Sequence, residues 1–281
     1  MRIAITGYKG QLGTALKQLL EVQHELFLID VPMFDITDRN NIGHAIAGFR
    51  PDFVIHAAAF TNVDGCAREP DKAYLVNALG TQNVALACQR VGAVMVFIST
   101  NEVFDGKASS PYLEFDRTNP TNVYGRSKWA GEMYTQMLLQ RFYIVRTAWL
   151  YARQGNNFIE KIIRAADERE AVSVVTDEVS SPTYAPDLAL AIVRLLTTDA
   201  FGIYHFTNAG ICSRYDFAVE ILKQSGRGHI PVQPITFEQY QRTSTPPLYA
   251  PLNNFCGAAL GITLRPWQEA LSEYLTGGNH V

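Results

Sequence analysis

The feature that most constrains the fold is a repeated alternation of short apolar runs with longer helical stretches over the first 150 residues. The predicted strands are RIAIT, ELFLID, DFVIHAAA, VMVFIST and YIVRTAWL, and the helical stretches between them include QLGTALKQLL and AYLVNALGTQNVALACQRVG. Strands that are apolar at nearly every position are typical of parallel sheets covered on both faces. The pattern therefore predicts an α/β fold with a doubly wound parallel sheet.

The alternation loosens after about residue 152. Helices are predicted in NNFIEKIIRAADERE, APDLALAIVRLLT, SRYDFAVEILKQSG and PWQEALSEYL, strands in VSVVTDE and GIYHFT, and a proline-rich stretch in RTSTPPLYAPLNN. We expect residues 1–151 to form a dinucleotide-binding domain and residues 152–281 to form mainly a smaller C-terminal substrate-binding lobe. One or two later elements are expected to return to the main sheet.

Composition narrows the class of partner. The chain has 281 residues, of which 47% are hydrophobic and 18% charged, with a net charge of −3. Both signs of charge are interspersed, which argues against a nucleic acid or an anionic membrane and favours a small molecule. No apolar run approaches the roughly 20 residues of a membrane helix, so no membrane span is predicted. The stretch MRIAITG leads directly into a strand pattern, which argues against a secretory signal peptide.

The cysteines and histidines carry no signature of metal or disulfide chemistry. Cys66, Cys88, Cys212 and Cys256 lie far apart, without a CxxC motif or a paired histidine spacing. Such spacing predicts neither a zinc site nor a disulfide framework. We therefore expect no metal, and we expect the protein to reside in the reducing cytoplasm.

The stretch TGYKGQLG places three glycines directly after the first predicted strand and before the first predicted helix. Glycines there permit a tight turn and let the backbone approach a pyrophosphate, while the helix N-terminus favours negative charge. The spacing is GxxGxxG, so the match gains its meaning from the strand–loop–helix context of a Rossmann-like sheet. The residues predicted to bind the dinucleotide here are Gly7, Lys9, Gly10, Gln11, Leu12 and Gly13.

Asp30 ends the second predicted strand, where an acidic side chain can bind the ribose hydroxyls of an adenosine. A carboxylate would repel a 2′-phosphate, so the sequence favours NADH over NADPH, although Lys9 can offset that repulsion. Alternatively, Asp30 is an ordinary turn residue at the end of a strand. For Ala57 to Ala59, the alternative to a cofactor contact is tight packing. The remaining predicted cofactor contacts are Asp35, Ile36, Ala57, Ala58 and Ala59.

Three further residues carry the predicted chemistry. Thr100 ends the strand VMVFIST, and VYGRSKWAGE places Tyr124 and Lys128 one helical turn apart, so that both side chains leave the same face. On its own this pair is an ordinary helical pair. With the glycine-rich loop and Thr100 in the same order along the chain, the sequence resembles the extended short-chain dehydrogenase/reductase superfamily.

That resemblance implies roles for the three side chains. Thr100 would fix a substrate oxygen, Tyr124 would protonate it, and Lys128 would bind the nicotinamide ribose. Tyr124 and Lys128 are both also expected to contact the cofactor. A free phenol titrates near pH 10. We expect Lys128 to lower the pKa of Tyr124, because an ammonium about 4 Å away stabilises a phenolate by up to about 4 kcal/mol.

The resemblance narrows further to one family. The motifs STNEVFDG, NVYGRSKWAGE, VRTAWLYARQGNNF, VVTDEVSSPTYAPDLA and GIYHFTNAG are similar to those of the dTDP-4-dehydrorhamnose reductases, over nearly the whole chain. This implies NADH- or NADPH-dependent reduction of the 4-keto group of a nucleotide-activated 6-deoxysugar, as in the formation of dTDP-L-rhamnose for cell-surface polysaccharide. It also implies a homodimer and a place for Trp149 in the sugar site, whereas Trp149 taken alone would be a core residue.

The chain departs from the family pattern around the predicted sugar site. Asn101 and Glu102 stand where the family usually has Asp-Tyr, and Ser180 stands where it often has glycine. In PPLYAPL, Pro246 and Ala250 occupy the positions of the usual arginine and serine. These departures leave the identity of the sugar open. The predicted substrate-binding residues are Thr100, Asn101, Glu102 and Trp149.

Two alternatives stay open at this point. Nucleotide-sugar 4,6-dehydratases of the same superfamily carry Asp-Glu after the threonine, so Glu102 suggests dehydratase or epimerase chemistry as an alternative. Asn101 counts against this alternative because an amide has no titratable proton to donate. The second alternative is a non-catalytic regulatory subunit that binds NADP, because a preserved fold does not guarantee turnover. Retention of Thr100, Tyr124 and Lys128 counts against that alternative.

Overall fold

The computed structural model describes residues 1–153, 157–240 and 242–277. The first half of the chain contains β1 (Arg2–Thr6), α1 (Gln11–Leu20), β2 (Glu25–Ile29), α2 (Arg39–Phe49), β3 (Phe53–His56), α3 (Val63–Arg68), α4 (Pro70–Tyr74), α5 (Thr81–Val91), β4 (Val94–Thr100), α6 (Val123–Leu138) and β5 (Phe142–Thr147). The second half contains β6 (Leu150–Tyr151), α7 (Phe158–Glu168), β7 (Val172–Val175), β8 (Val179–Ser180), β9 (Thr183–Tyr184), α8 (Ala185–Leu195), β10 (Gly202–His205), β11 (Cys212–Ser213), α9 (Arg214–Gln224), β12 (Val232–Ile235), α10 (Phe255–Ala259) and α11 (Trp267–Thr276). Residues 154–156 of the VRTAWLYARQGNNF motif lie outside the described residues, as do residue 241 and residues 278–281 of the predicted lobe.

The central sheet has six strands in the order β10-β5-β4-β3-β1-β2. Every pairing in it is parallel, so all six strands end at one edge. At that edge Thr6 is in register with His56, and Thr100 is in register with Thr147. This confirms the predicted doubly wound parallel sheet, whose carboxyl edge is where ligands bind in such folds.

Helices cover both faces of the sheet. On one face, α1 and α8 pack on alternate strand residues, with Leu16, Val96 and Val145 among the buried side chains. On the other face, Phe97 and Ile144 belong to the core that includes residues of α2 and α5. Each fully buried aliphatic or aromatic side chain stabilises the fold by about 1.5–3 kcal/mol, which explains why continuous apolar strands predict this architecture.

Two elements from the second half of the chain join the first. Strand β10 extends the sheet beside β5, and α8 packs against α1. Helices α7, α9 and α11 form a separate apolar core, with Ile162, Phe217 and Trp267 buried in it.

The predicted helix AYLVNALGTQNVALACQRVG is helical but irregular. A π-helical turn, Leu75–Gly80, separates α4 from α5. In this turn the Asn77 side chain binds both the N–H and the carbonyl of Phe60, at 2.7 and 3.0 Å, and donates to Ser127 Oγ at 3.0 Å. The widened turn thus ties the loop after β3 to α6, which carries the predicted catalytic pair.

Among the described residues, no helix is both long and apolar enough to cross a membrane.

Candidate active site

The glycine-rich loop has no room for side chains at two of its glycines. Gly7 has a φ of +69°, and a Cβ there would lie 2.7 Å from the backbone of Ala58. A Cβ on Gly13 would lie 2.2 Å from the carbonyl oxygen of Gly7. Only glycine allows this close approach of loop, helix and β3, as the sequence pattern predicts.

The start of α1 has the groups that a pyrophosphate requires. Gly10 caps the helix without a side-chain hydrogen bond, and the first N–H groups of a helix have no partner within it. Leu12 is buried in the core, so only its backbone faces the loop. Gln11 Oε1 is buried without a hydrogen-bond partner among the described residues. Free backbone donors, the positive end of the helix dipole and an unpartnered polar oxygen together fit a dinucleotide.

Asp30 and Lys9 meet at the end of β2. The two oxygens of Asp30 accept hydrogen bonds from the backbone N–H of Lys9, at 3.1 Å, and of Val31, at 2.9 Å. Lys9 Nζ donates to the carbonyl of Val31 at 2.9 Å. The ammonium expected to offset the repulsion of a 2′-phosphate is therefore bound at Val31, the residue after Asp30.

The remaining predicted cofactor contacts lie along the same edge in different roles. Asp35 Oδ1 accepts hydrogen bonds from the N–H and hydroxyl of Thr37, both at 2.8 Å. Ile36 is buried, and a Cβ on Gly80 would lie 2.8 Å from its side chain. Residues 57–59, the three alanines, are half-buried directly after β3. Ile36 thus packs into the core, whereas the alanines leave an open wall beside the glycine loop.

The structure brings Thr100, Tyr124 and Lys128 to the carboxyl edge of the sheet. Thr100 is buried at the end of β4, and α6 begins one residue before Tyr124. Asn122 caps α6, with its Oδ1 accepting the N–H of Gly125 at 2.8 Å. A Cβ on Gly125 would lie 2.1 Å from the carbonyl oxygen of Glu102, so this glycine lets the helix press against the turn after β4.

The pKa of Tyr124 does not follow the expectation that Lys128 lowers it. Burial raises this pKa, the nearby carboxylate of Glu102 raises it further, and a hydrogen bond from the Thr100 side chain opposes both. The expectation was wrong because it did not account for desolvation or for a second acidic side chain. The phenol therefore stays protonated around neutral pH, as a proton donor requires.

Lys128 is itself strongly affected by its surroundings. It is 2% exposed, and its Nζ lies 4.1 Å from the centre of the Phe97 ring. Burial lowers the pKa of Lys128 to about 7, while Glu132 acts in the opposite direction. A lysine that titrates near neutrality can both accept and release a proton in this pH range.

Glu132 anchors a buried polar network one turn beyond Lys128. Its Oε1 accepts from Ser99 Oγ at 2.5 Å and from Arg146 Nε at 2.9 Å, and its Oε2 accepts from Arg146 at 2.7 Å. The two charged side chains are 1% and 3% exposed. Sequence analysis missed this pair; the i, i+4 spacing of Tyr124, Lys128 and Glu132 was the available signal.

Glu102 lies between Tyr124 and the C-terminal half of the chain. Asn122 Nδ2 donates to Glu102 Oε2 at 2.6 Å. Burial raises the pKa of Glu102 to about 7; Glu178 raises it too, whereas Asn122, Arg242 and Arg214 lower it. Asn122 was not predicted, although an asparagine just before a helix is an N-cap signal.

Asn101 turns away from this carboxylate. Its Nδ2 donates to Ser180 Oγ at 3.2 Å and to the carbonyl of Ala250 at 3.1 Å, and Ser180 Oγ also donates to Ala250 at 3.2 Å. Asn101 is 5% exposed. Three of the positions at which the sequence departs from the family pattern are therefore in mutual contact.

A cavity of about 710 Å³ opens from the start of α1 into the C-terminal half. Trp149 lines it with a φ of +44°, and the Arg214 guanidinium lies 3.6 Å from the centre of its ring. Arg214 Nε donates to Glu178 Oε1 at 2.9 Å. Lys161 and Arg242 also line the cavity. Trp149 is thus a wall residue, and its basic neighbours carried no motif that sequence analysis could use.

Across the part of the chain that the structure describes, no group of three or more His, Cys, Asp or Glu side chains is arranged to hold a metal ion.

The chain is similar to proteins of one family over nearly its whole length. The profile of the RmlD substrate binding domain matches residues 1–279. Spore coat polysaccharide biosynthesis protein SpsK of Bacillus subtilis (strain 168) is 40% identical, over 98% of this chain and 96% of its own length. The crystal structure of a dTDP-4-dehydrorhamnose reductase from Clostridium acetobutylicum ATCC 824 is 41% identical with a TM-score of 0.94, over 98% of this chain and 99% of that one. The crystal structure of the dTDP-4-dehydrorhamnose reductase from Bacillus anthracis str. Ames in complex with NADP is 38% identical in sequence. Its TM-score is 0.95, over 98% of this chain and 99% of that one.

Proposed function

Since the chain belongs to the dTDP-4-dehydrorhamnose reductase family, we propose that it reduces the 4-keto group of a dTDP-linked 6-deoxyhexose, dTDP-4-dehydro-L-rhamnose first among them. It is an oxidoreductase that uses a nicotinamide cofactor. The observation that carries the proposal is the proximity of Thr100 and Tyr124 at the carboxyl edge of the sheet, the same edge at which the glycine-rich loop follows β1.

The proposed chemistry divides among three side chains. The Thr100 hydroxyl binds the keto oxygen, and Tyr124 donates its proton to that oxygen as C4 is reduced. The reduced nicotinamide, when bound, supplies the hydride. Because burial and Glu102 raise the pKa of Tyr124, the phenol holds this proton until the reaction needs it. Lys128, whose pKa is about 7, binds the nicotinamide ribose.

The nucleotide part of the substrate fits the large cavity. Trp149, with the guanidinium of Arg214 on its ring, offers a flat wall to a base or sugar. Lys161 and Arg242 add positive charge for the diphosphate, while Glu178 limits the net charge of the wall. In this proposal residues 1–151 bind mainly the cofactor and residues 152–281 mainly the substrate.

Glu102 and Asn101 take different roles in the proposal. The hydrogen bond to Glu102 from the described residues goes to Oε2, which leaves Oε1 to accept from a sugar hydroxyl. The Asn101 amide, bound to Ser180 and Ala250, positions the turn that carries Glu102. An aromatic contact to the sugar is thereby replaced by a hydrogen-bond acceptor.

Cofactor choice, assembly and location complete the proposal. Asp30 favours NADH and Lys9 favours NADPH at the same position, and the Bacillus anthracis relative was solved with NADP. We propose that both cofactors are used, in a cytoplasmic homodimer, as the resemblance of the sequence implies.

The geometry does not favour the two alternatives. A dehydratase needs an acid after the threonine, whereas the amide of Asn101 has no titratable proton and is bound to Ser180 and Ala250. A regulatory subunit needs no proton donor, whereas the raised pKa of Tyr124 supports its proposed role as one.

The test is oxidation of NADH and NADPH in the presence of a panel of dTDP-4-keto-6-deoxyhexoses. We expect turnover with dTDP-4-dehydro-L-rhamnose and a fall in kcat of about 10²–10⁴-fold for Tyr124→Phe, with cofactor affinity unchanged. No oxidation of either cofactor across the panel would contradict the reductase. Release of a 4-keto-6-deoxy sugar from a dTDP-hexose would support the dehydratase instead, and near wild-type turnover of Tyr124→Phe would remove its assigned role.

A further inference from the structure

Two buried side-chain oxygens near the carboxyl edge of the sheet, Thr147 Oγ1 and Gln11 Oε1, have no hydrogen-bond partner among the described residues. Thr147 is 7% exposed. Buried hydroxyl groups in folded proteins nearly always have a partner, because an unmade hydrogen bond in the interior is unfavourable. An unpaired hydroxyl at a ligand-binding edge therefore points to a group that the ligand brings.

The position of Thr147 follows from the register of the sheet. It ends β5 and lies opposite Thr100, which ends β4. Side chains alternate along a strand, and Tyr143 and Val145 belong to the core that includes Leu16 of α1. Thr147 is the next residue on that face, so its hydroxyl lies on the α1 side of the sheet, beside Thr100.

Gln11 approaches the same place from the helix. It is the first residue of α1, directly after the glycine-rich loop, and it lines the large cavity together with Trp149 and Leu150. Those two residues follow Thr147 closely along the chain. Gln11 therefore shares a cavity with the residues that directly follow β5.

The chemistry of the two oxygens requires a ligand that offers both an acceptor and a donor. Thr147 can donate or accept, whereas Gln11 Oε1 can only accept. A phosphate offers only acceptors, and the keto oxygen of the sugar already has Thr100 and Tyr124. A primary carboxamide offers one acceptor oxygen and an NH₂ donor in one plane, which matches a hydroxyl donor and an amide acceptor.

We propose that Thr147 and Gln11 bind the carboxamide of the nicotinamide ring, an inference that rests on the proposed use of a nicotinamide cofactor. Thr147 Oγ1 donates to the carboxamide oxygen, and Gln11 Oε1 accepts from its NH₂ group. Because the carboxamide is attached to the ring that donates hydride, these two hydrogen bonds fix the rotation of the ring. One face of the ring is thereby held toward Thr100 and the sugar.

The test measures binding without any sugar, so that its result does not depend on turnover. Thr147→Val removes the hydroxyl and keeps the shape of the side chain. We expect it to weaken NADP⁺ binding roughly tenfold in a calorimetric titration. Binding of 2′-phospho-ADP-ribose, which lacks the nicotinamide, is expected to stay unchanged.

Two control variants separate the hydroxyl from the fold. Thr147→Ser keeps the donor and is expected to bind NADP⁺ like the wild type. Thr135→Val removes another buried hydroxyl, which donates to the Gly131 carbonyl at 2.9 Å within α6, and is expected to leave both affinities unchanged. Unchanged NADP⁺ affinity in Thr147→Val, or equal weakening of both ligands, would overturn the assignment of Thr147.

Gln11 gives an independent test on a less buried side chain. The 3-acetylpyridine analogue of NADP⁺ replaces the carboxamide NH₂ by a methyl group, so the wild type should bind it several-fold more weakly than NADP⁺. In Gln11→Leu this difference is expected to disappear. If Gln11→Leu still discriminates between the two cofactors as the wild type does, the proposed pairing is wrong, whether or not Thr147→Val folds. A chain that shows the discrimination but reduces no 4-keto sugar would contradict the proposed substrate and leave the carboxamide contact in place.

Discussion

Two glutamates, Glu102 and Glu132, lie near the Tyr124–Lys128 pair, and they differ in how many hydrogen bonds their carboxylates accept. Glu132 is 1% exposed and accepts three hydrogen bonds, two of them from Arg146. Glu102 lies on the side proposed to bind the sugar, and within the described part of the chain it accepts one side-chain hydrogen bond, from Asn122. Its pKa is raised to about 7, because burial outweighs that contact and the nearby arginines.

The difference separates a structural carboxylate from one placed for a ligand. A buried charge with a matched guanidinium and a hydroxyl is fully satisfied, and removing one member leaves the other without a partner. When burial raises the pKa of a carboxyl group, its ionised form is less stable in the protein than it would be in water. A perturbed carboxyl group of this kind is typical of a functional site, and in the proposed function it accepts a hydrogen bond from the sugar.

The largest effect is expected from Glu132→Gln. It leaves the buried Arg146 guanidinium, 3% exposed, without an opposite charge. Breaking a buried ion pair in this way lowers the free energy of unfolding by about 3–5 kcal/mol. Urea unfolding followed by circular dichroism measures the loss.

The double variant Glu132→Gln/Arg146→Met is its control. It removes both charges, and we expect it to recover much of the stability lost in Glu132→Gln. A Glu132→Gln protein as stable as the wild type would mean that the two glutamates do not differ, and the comparison would fail.

The same substitution at Glu102 is expected to have the opposite sign. In the folded chain Glu102 keeps its proton up to about pH 7, whereas its ordinary pKa is 4.5. Folding is therefore favoured by this group below pH 4.5, and that contribution is lost as the pH rises through 7. A shift of this size corresponds to at most about 3 kcal/mol, and solvent screening of the partly exposed side chain reduces it. Glu102→Gln should be more stable than the wild type at pH 8 by about 1–2 kcal/mol.

Urea unfolding between pH 4.5 and 8 measures this difference. The two proteins should have similar stabilities at the acidic end and diverge toward pH 8. The same variant should raise KM for the 4-keto sugar and leave NADPH affinity unchanged, because Glu102 is proposed to bind the sugar. A stability difference that does not depend on pH would show that Glu102 is an ordinary exposed carboxylate.

The sequence predicted the cofactor side of the site better than the sugar side. Strand periodicity and glycine spacing are local signals, and the structure accordingly has β1 and α1 where they were predicted, with Gly7 and Gly13 closely packed against backbone. The contacts of Glu132 depend on Arg146, fourteen residues away on another element. No local pattern reports which two charged residues will be buried together.

The sugar side depends on contacts over still longer separations. Asn101 reaches Ala250 across 149 residues, and Trp149 adopts a φ of +44°, which no sequence rule assigns to tryptophan. Asn101 and Glu102 are adjacent in sequence, yet the Asn101 amide donates to Ser180 and Ala250, whereas the Glu102 carboxylate accepts from Asn122. The short 3₁₀ turn after β4 separates their directions, and its geometry depends on the packing against Gly125.

The smallest effect is expected from Asn101→Asp, which tests whether the side chains of residues 101 and 102 point in different directions. The variant creates the Asp-Glu dipeptide of the 4,6-dehydratases without altering Glu102. In the structure, however, the new carboxylate would face the carbonyl oxygen of Ala250 in place of the Nδ2 donor, 3.1 Å away. Ser180 Oγ has one proton to share between the two acceptors, so one of them loses its hydrogen bond. We expect a loss of about 1–2 kcal/mol in the free energy of unfolding, reductase activity within a few-fold of the wild type, and no release of a 4-keto-6-deoxy sugar from dTDP-glucose. Measurable dehydration by this single variant would mean that position 101 faces the sugar, and the contrast between Asn101 and Glu102 would have to be abandoned.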